Sequence, residues 1–260
     1  MFHRKPMEPD TPNFDSLARV YRWMEYFSFG RILERCRFHF LMRCSRARHA
    51  LLLGDGDGRF TARLLALNPT VQVDAVDASP AMLTALRERA RQSCQNADPR
   101  LHTIQADLRR FTPTGRDYDL VVSHFFLDCL TDSDVTALIE RFSPRMSQDG
   151  IWLVSEFALP EKGWRRLGAR MVIFSLYYAF FVLTGLRVRH IPNYPKAFHD
   201  NGFHLLEKAV YLGGMLITEV WERQSNQNFS WAAVLAATIS DVPERPASTV
   251  SMQDSSAASI

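Results

Sequence analysis

Short apolar runs alternate with helical patterns from residue 49 to residue 156, and this alternation constrains the fold more than any other feature of the chain. Five runs have the length and composition of strands: 49–53, 72–76, 101–106, 119–123 and 150–155. Parallel strands need crossover connections, which are usually helices. The alternation therefore predicts an α/β fold with a parallel sheet and helices on both faces.

Two of the helical patterns carry start signals. Ser79 and Pro80 form an N-cap followed by a proline at the first helical position. Thr131 and Asp134 have the spacing of a capping box. Helices are therefore expected to begin directly after Ser79 and directly after Thr131.

The last two strand-like runs, 204–211 and 215–221, depart from this rhythm. They flank a Gly-Gly pair at Gly213 and Gly214, which is a hairpin-turn signal. An antiparallel hairpin is therefore expected to close the sheet. A plain dinucleotide-binding fold does not end in this way.

The composition is that of a soluble globular domain, with 260 residues of which 47% are apolar and 23% charged. These values exclude a disordered, collagen-like or disulfide-scaffold chain. The net charge of +3 is too small to indicate a nucleic-acid partner. The four cysteines show neither CxxC spacing nor a Cys/His cluster, so we expect no metal site and a reduced, cytoplasmic protein.

The segments that flank this core differ from it in composition. They are a charged leader (1–13), helical patterns interrupted near Gly30 (14–46), an aromatic and basic insert (157–201) and a tail rich in small polar residues (223–260). The leader is expected to be mobile and the end of the tail disordered. The folded domain is expected to cover 14–222.

A glycine-rich segment follows the first apolar run, with Gly54, Gly56 and Gly58 at every second position. Glycines let the backbone turn tightly and let a ligand approach without a Cβ in the way. A helix is expected to start at once, so that its free N–H groups face the ligand. A tight turn without a ligand is the alternative.

Acidic residues end the next two runs. Asp77 lies 21 residues after Gly56, where a carboxylate can accept both ribose hydroxyls of an adenosine. Asp107 ends the third run, where it can accept an adenine amino group. An acid at a strand end is often only a turn residue. Here, however, the glycine segment and the two acids stand at the ends of three successive predicted strands.

The glycine segment itself carries Asp55 and Asp57. Two carboxylates would repel the pyrophosphate of NAD, which disfavours a nicotinamide-dependent oxidoreductase. S-adenosylmethionine has cationic centres and no phosphate, so it suits the segment better. A helix N-cap is the alternative role for Asp57.

Five segments of the chain resemble the class I S-adenosylmethionine-dependent methyltransferases: 51–58, 73–83, 105–108, 118–123 and 150–156. The resemblance implies a Rossmann-like, mostly parallel seven-stranded sheet with an antiparallel C-terminal hairpin. It also implies S-adenosyl-L-methionine as the cofactor. The family's cofactor-binding positions fall on Gly54, Gly56, Gly58, Asp77, Ala78, Met82, Asp107, Leu108 and Ser123, and Asp55 is a further candidate cofactor-binding residue within the glycine segment.

The N-terminal segment 14–21 resembles the entry helix of the ubiquinone/menaquinone C-methyltransferase-like subgroup. This resemblance places Tyr21 near the methionine end of the cofactor, with simple helix packing as the alternative. One position departs from the family, because Leu52 stands where an acid usually helps to organise the methionine amino group. Asp55 is the candidate substitute for that acid.

The segment after the fourth run should face the acceptor of the methyl group, because ligands lie beyond the carboxyl ends of the strands in an open α/β sheet. His124 and Asp128 are the candidate proton acceptors there. Their alternative roles are those of a pocket wall for His124 and of a backbone-bonding carboxylate for Asp128. Methyl transfer needs little beyond correct placement of the nucleophile, so neither residue is indispensable to the prediction.

The segment 162–196 has seven basic residues and no acidic ones, and it includes the apolar run 171–183. Thirteen residues are too few to span a bilayer, which takes roughly 20. The pattern suits a lid over an apolar acceptor or a peripheral membrane contact, with a buried helix as the alternative. Three residues beyond the run are further candidates for the acceptor pocket, with surface or capping roles as the alternative: His190, Tyr194 and His199.

The sequence thus predicts a methyltransferase that acts on an apolar small-molecule or lipid-like acceptor. A catalytically silent S-adenosylmethionine-binding module is one alternative. An RNA methyltransferase is the other; it ranks lower because the aromatic side chains are not interleaved with the basic ones.

Overall fold

The computed structural model describes residues 30–114, 117–160 and 191–223, which belong to one compact unit. The helices are α1 (Gly30–Phe38), α2 (Arg59–Leu67), α3 (Pro80–Ser93), α4 (Asp132–Phe142) and α5 (Tyr194–Asp200). The strands are β1 (His49–Leu53), β2 (Gln72–Asp77), β3 (Leu101–Gln105), β4 (Tyr118–His124), β5 (Met146–Phe157), β6 (Phe203–Tyr211) and β7 (Leu216–Arg223).

The seven strands form one sheet in the order β3-β2-β1-β4-β5-β7-β6. The first five strands are parallel, and β7 runs antiparallel to both β5 and β6. The predicted Rossmann-like α/β fold with an antiparallel C-terminal hairpin is confirmed. The largest boundary difference is in β5, which begins at Met146 rather than at residue 150.

Apolar side chains cover both faces of the sheet. Leu51, Val121 and Trp152 lie in one core, against α4 and α5. Leu52, Val122 and Leu153 lie in the other, against α2 and α3. Neighbouring residues of one strand thus enter different cores, which explains why the central strands are apolar runs without alternation.

Both predicted helix starts are confirmed. Ser79 Oγ accepts the Met82 N–H at 3.3 Å at the start of α3, with Pro80 in the first turn. Thr131 and Asp134 form a reciprocal capping box at the start of α4. Both signals depend on residues that are close in the sequence, so they form in the folded protein as the sequence predicts.

Several predictions concern residues outside the described ranges. These are the leader, Tyr21 and the rest of 14–29, the part of the basic insert at 161–190, and the tail from residue 224. Within the insert, Tyr194 begins α5 and lies in the core rather than in an open pocket. None of the described helices is long and apolar enough to cross a membrane.

Candidate active site

The carboxyl ends of the five parallel strands meet at one edge of the sheet. Gly54 follows β1, Asp77 ends β2, His124 ends β4, and Glu156 is the penultimate residue of β5. In an open α/β sheet this edge is where ligands bind. The fold therefore brings together candidate residues that are up to about 100 positions apart in the sequence.

The three glycines of the first loop have left-handed backbones but different surroundings. A Cβ on Gly54 would meet the Phe126 ring at 2.6 Å, and one on Gly58 would meet the Leu86 Cα at 2.7 Å. A Cβ on Gly56 would meet nothing within 4 Å. Gly54 and Gly58 therefore allow close packing, and Gly56 leaves its backbone open to a ligand.

The two aspartates of this loop have structural partners. The N-cap of α2 is Gly58, so the alternative role of Asp57 as N-cap is wrong. Asp57 Oδ2 instead pairs with Arg89 at 2.7 Å. Asp55 Oδ2 accepts the Thr61 N–H at 2.8 Å and the Thr61 hydroxyl at 2.7 Å, which satisfies a free donor of the first helical turn.

This pairing changes the electrostatic argument against NAD. The charge of Asp57 is offset by Arg89, and Arg59 lies 3.4 Å from its other oxygen. Burial raises the pKa of the Asp55 carboxyl, while Arg37 and the Thr61 donors oppose that rise. Repulsion of a pyrophosphate therefore depends on Asp55 and Asp77 rather than on both loop aspartates.

Asp77 lies beside the open glycine. Its Oδ1 accepts the Ser79 N–H at 2.8 Å. Burial raises the pKa of Asp77 to about 6, and backbone N–H groups of Ser79, Gly56 and Ala78 limit the rise. Ala78 is exposed next to it, and Met82 is half-buried on the first turn of α3.

Asp107 already has a cationic partner. Arg109 donates to both of its carboxylate oxygens, with the shortest contact from Nη2 to Oδ2 at 2.7 Å. Burial alone would raise the pKa of Asp107, but the hydrogen bonds and charge of Arg109 lower it. An adenine amino group would share this acceptor with Arg109. The neighbouring Leu108 is buried in the core.

The end of β4 places its two polar side chains on opposite faces. Ser123 Oγ accepts the Trp152 Nε1–H at 3.0 Å and is fully buried. His124 packs edge-on against Phe60, and neither of its ring nitrogens has a hydrogen-bond partner among the described residues. Burial, and then the charge of Arg37, holds the pKa of His124 well below its usual range, so the ring is neutral at pH 7.

The backbone is strained directly after this strand. Phe125 has a φ of 55°, which is rare for a bulky residue. Its N–H donates to the Ser155 carbonyl at 2.7 Å, and the Arg37 guanidinium lies 5.7 Å from its ring centroid. Strain of this kind is typical of functional sites.

The buried carboxyl group of Glu156 holds the turn after β4 through hydrogen bonds. Glu156 Oε1 accepts the N–H groups of Phe126 at 3.0 Å and of Leu127 at 2.7 Å. Burial, and then the charge of Asp128, raises the pKa of Glu156 well above its usual range. Burial also raises the pKa of Asp128 to about 6. Two carboxyl groups therefore share this part of the site.

Sequence reasoning missed three charged residues of the site: Arg37, Arg109 and Glu156. Glu156 was detectable, because it is an acid at the end of an apolar strand, like Asp77. Arg109 was detectable only as a cation close to Asp107 in the sequence. Arg37 had no local signal, since only the fold buries it beside His124.

Residues 51–152 match the family model of a methyltransferase domain. The chain is also similar to an O-methyltransferase family protein from Burkholderia thailandensis, with 19% identity and a TM-score of 0.60 over 83% of this chain and 65% of that one. The N-methyltransferase NodS from Bradyrhizobium japonicum, in complex with S-adenosyl-L-homocysteine, gives 14% identity and a TM-score of 0.53 over 74% and 88%. Magnesium protoporphyrin IX methyltransferase from Synechocystis, also with bound S-adenosylhomocysteine, has 14% identity and a TM-score of 0.57. The match covers 81% of this chain and 96% of that one.

These comparisons establish a methyltransferase-type fold and do not distinguish the acceptor. This chain spans just under two thirds of the length of the Burkholderia protein. Comparison with curated proteins gives no significant match. The finer resemblance to the ubiquinone/menaquinone C-methyltransferase-like subgroup is not confirmed. Among the described residues, no group of three or more His, Cys, Asp or Glu side chains could hold a metal ion.

Proposed function

We propose that this protein is an S-adenosylmethionine-dependent methyltransferase with an apolar small-molecule or lipid-like acceptor. The observation that carries the proposal is the open backbone at Gly56 beside the half-buried carboxyl group of Asp77. That pair offers an adenosyl ligand free backbone and an acceptor for its ribose hydroxyls. The match of residues 51–152 to a methyltransferase domain supports it, and so does the S-adenosylhomocysteine bound in two of the similar structures.

The charges at the strand ends also fit this cofactor. Four acids lie at this edge, Asp55, Asp77, Asp128 and Glu156, and Arg37 is a buried cation near Asp55. A ligand with a sulfonium and an ammonium group is attracted to such a site, whereas a pyrophosphate is repelled. This favours S-adenosylmethionine over NAD.

The remaining candidates divide between cofactor and acceptor. Asp107 would hold the adenine amino group together with Arg109, and Met82 would pack near the adenosine. Leu52 is fully buried in the core, so any role for an acid near the methionine amino group falls to Asp55. Ser123 supports Trp152, so it would contribute to the cofactor site through its backbone or its packing.

Bound S-adenosylmethionine would supply a methyl group on a positively charged sulfur. The protein's own contribution would be to place the nucleophile in line and to accept its proton. Asp128 is the better proton acceptor, because its raised pKa of about 6 suits that task. The neutral ring of His124 would serve as a hydrogen-bonding wall.

An apolar acceptor is supported by the aromatic side chains around the turn after β4. Phe126 packs over Gly54, and Phe125 packs against Phe157 at 5.6 Å between centroids. The residues 161–190 that were expected to form a lid or a membrane contact lie outside the described ranges. A cytoplasmic location and a peripheral membrane contact stay predictions.

Thermal stability with and without S-adenosylhomocysteine tests the cofactor assignment. A ligand at about 100 times its dissociation constant adds about 2.7 kcal/mol to the free energy of unfolding. For a chain of this size the expected rise in Tm is roughly 5–10 °C. NAD under the same conditions is the control and should give no rise. No shift with the adenosyl ligand would contradict the proposal.

A catalytically silent S-adenosylmethionine-binding module is the second candidate. The observation that favours it is Leu52, which removes a charged side chain from the end of β1. Transfer of the labelled methyl group from S-adenosylmethionine to a panel of apolar acceptors separates the two. Binding without transfer to any acceptor would support the silent module.

A further inference from the structure

Unpartnered polar atoms are concentrated where β4 and β5 end. Among the described residues, the buried side-chain atoms without a hydrogen-bond partner include both ring nitrogens of His124 and Oε2 of Glu156. His124 is 5% exposed and Glu156 is 1% exposed. Folded proteins leave few buried polar groups unpaired, because each costs about 1–3 kcal/mol. These atoms are therefore placed to receive a polar group from a ligand.

Glu156 is held rigidly while one of its oxygens stays available. Its Oε1 accepts the N–H groups of Phe126 and Leu127, which fixes the carboxyl group against the turn after β4. Its Oε2 makes no such bond among the described residues. The same turn carries Asp128, which is itself 7% exposed. The turn and β5 thus hold two carboxyl groups next to each other.

The groups that face Glu156 are acidic or weakly acidic. They include Asp128 and Cys129 from the turn, Tyr194 from α5 and Cys36 from α1. Cys129 Sγ lies 3.5 Å from Asp128 Oδ1. Arg37 is a cation close to Cys36 and His124. Because the pKa of Glu156 is raised well above its usual range, the negative charge of the carboxyl pair at neutral pH lies on Asp128.

We propose that the acceptor presents an amine nitrogen to Asp128 and Glu156, so that the protein methylates nitrogen. This inference rests on the proposed function and specifies its acceptor. A bound ammonium group would donate to Glu156 Oε2 and to Asp128, and its charge would offset that of the Asp128 carboxylate. The apolar remainder of the acceptor would lie against Phe125 and Phe126.

The chemistry balances with the groups at hand. The ammonium group gives one proton to the Asp128 carboxylate and becomes a neutral amine with a free lone pair. That lone pair forms the N–C bond to the methyl group as the C–S bond breaks and its electrons stay on sulfur. The products are a methylated ammonium ion and neutral S-adenosylhomocysteine, and the proton on Asp128 leaves to solvent.

The site fits other acceptors less well. A carboxylate or phenolate acceptor would be repelled by the Asp128 carboxylate. A neutral alcohol would have to give its proton to a carboxylate of pKa about 6, which is a far weaker base than an alkoxide. Only the amine combines attraction to the pair with a proton that Asp128 can accept.

Isothermal titration of the protein saturated with S-adenosylhomocysteine tests this directly. The probes are 2-phenylethylamine and 2-phenylethanol, which share one apolar body and differ in the head group. The amine should bind at least about tenfold more tightly at neutral pH, since a hydrogen bond to a charged group contributes about 1.5–3 kcal/mol. Its affinity should fall below about pH 6, as Asp128 becomes protonated.

Matched variants separate this role from a structural one. Asp128→Asn removes the charge with which the ammonium group would pair, so it should abolish the preference for the amine and leave the affinity for 2-phenylethanol unchanged. Glu156→Gln keeps an oxygen that accepts the Phe126 and Leu127 N–H groups and is uncharged like the protonated carboxyl group, so it should keep most of the preference. Asp200→Asn removes an equal charge from the exposed surface of α5 and should change neither affinity.

Equal affinity for the two probes, or binding of neither, would overturn the amine assignment. A preference that survives in Asp128→Asn would overturn it as well. Failure of S-adenosylhomocysteine itself to bind is a different result, because it would overturn the proposed function and this inference together.

Discussion

Asp77 carries a charge at neutral pH at the expense of stability. Burial raises the pKa of its carboxyl group from 3.8 to about 6. Because the folded-state value is the higher one, this group stabilises the fold most below about pH 4 and loses that contribution as the pH rises through about 6. At neutral pH the charge is therefore retained at a cost, as expected of a ligand-binding acid.

Asp77→Asn should separate the two effects. The amide oxygen can still accept the Ser79 N–H, so the free energy of unfolding near pH 7.5 should rise or stay the same. The affinity for S-adenosylhomocysteine should fall by about tenfold or more, because the ribose loses a charged acceptor. Denaturant unfolding and calorimetric titration measure the two quantities. Asp98→Asn at an exposed ion pair is the control, and unchanged affinity in Asp77→Asn would contradict the assignment.

At the scale of elements, the loop between β1 and α2 has one closely packed glycine and one open glycine. Gly56 and Gly58 both have positive φ, of 58° and 79°. Their surroundings differ, because only Gly58 lies against another element, at Leu86 of α3. The same residue type thus packs against a helix at Gly58 and borders open space at Gly56, where we propose that the ligand approaches.

Alanine at each position should reveal this difference. Both variants lose about 1–2 kcal/mol from the left-handed backbone. Gly58→Ala should lose about 1–3 kcal/mol more from overpacking against Leu86. Gly56→Ala should instead show the larger loss of S-adenosylhomocysteine affinity. Thermal unfolding and titration of both proteins check this, and equal effects on stability would show that Gly56 also has a packing role.

At the scale of the whole molecule, Glu219 joins the antiparallel end of the sheet to α5. This carboxylate is 2% exposed and lies on β7. Its Oε2 accepts the Tyr194 hydroxyl at 3.0 Å and the Trp221 Nε1–H at 3.1 Å, while Oε1 pairs with Lys208 at 2.8 Å. A single buried charge therefore connects two strands and a helix.

Glu219→Ala should lower the free energy of unfolding by about 3–5 kcal/mol, because it leaves buried donors without an acceptor. Glu219→Gln should cost less, since its amide oxygen still accepts from Tyr194 and Trp221. Chemical denaturation with a common slope gives both values. A loss below about 1 kcal/mol in the alanine variant would mean that water replaces the carboxylate.

The sequence predicted those site residues whose position follows from their type and their place after a strand. Asp77, Gly56 and Asp128 lie at the predicted edge because parallel strands direct their carboxyl ends to the same side. The partners of the charged residues could not be predicted in the same way. Asp57 pairs with Arg89, which is 32 positions away, and Glu156 bonds to backbone 29 and 30 positions away. Nothing in a local pattern specifies such pairs.

The sequence by itself determined the strands, the helix starts and the closing hairpin, because periodicity, caps and turn residues act between near neighbours. It also placed the acid that ends β2, Asp77, and the acid that follows β3 two residues later, Asp107. Only the tertiary structure decided that β7 lies between β5 and β6, that His124 is buried against Phe60 and that Glu156 supports the turn after β4. Those features depend on packing between distant segments, and burial then sets which carboxyl groups and which imidazole carry a charge.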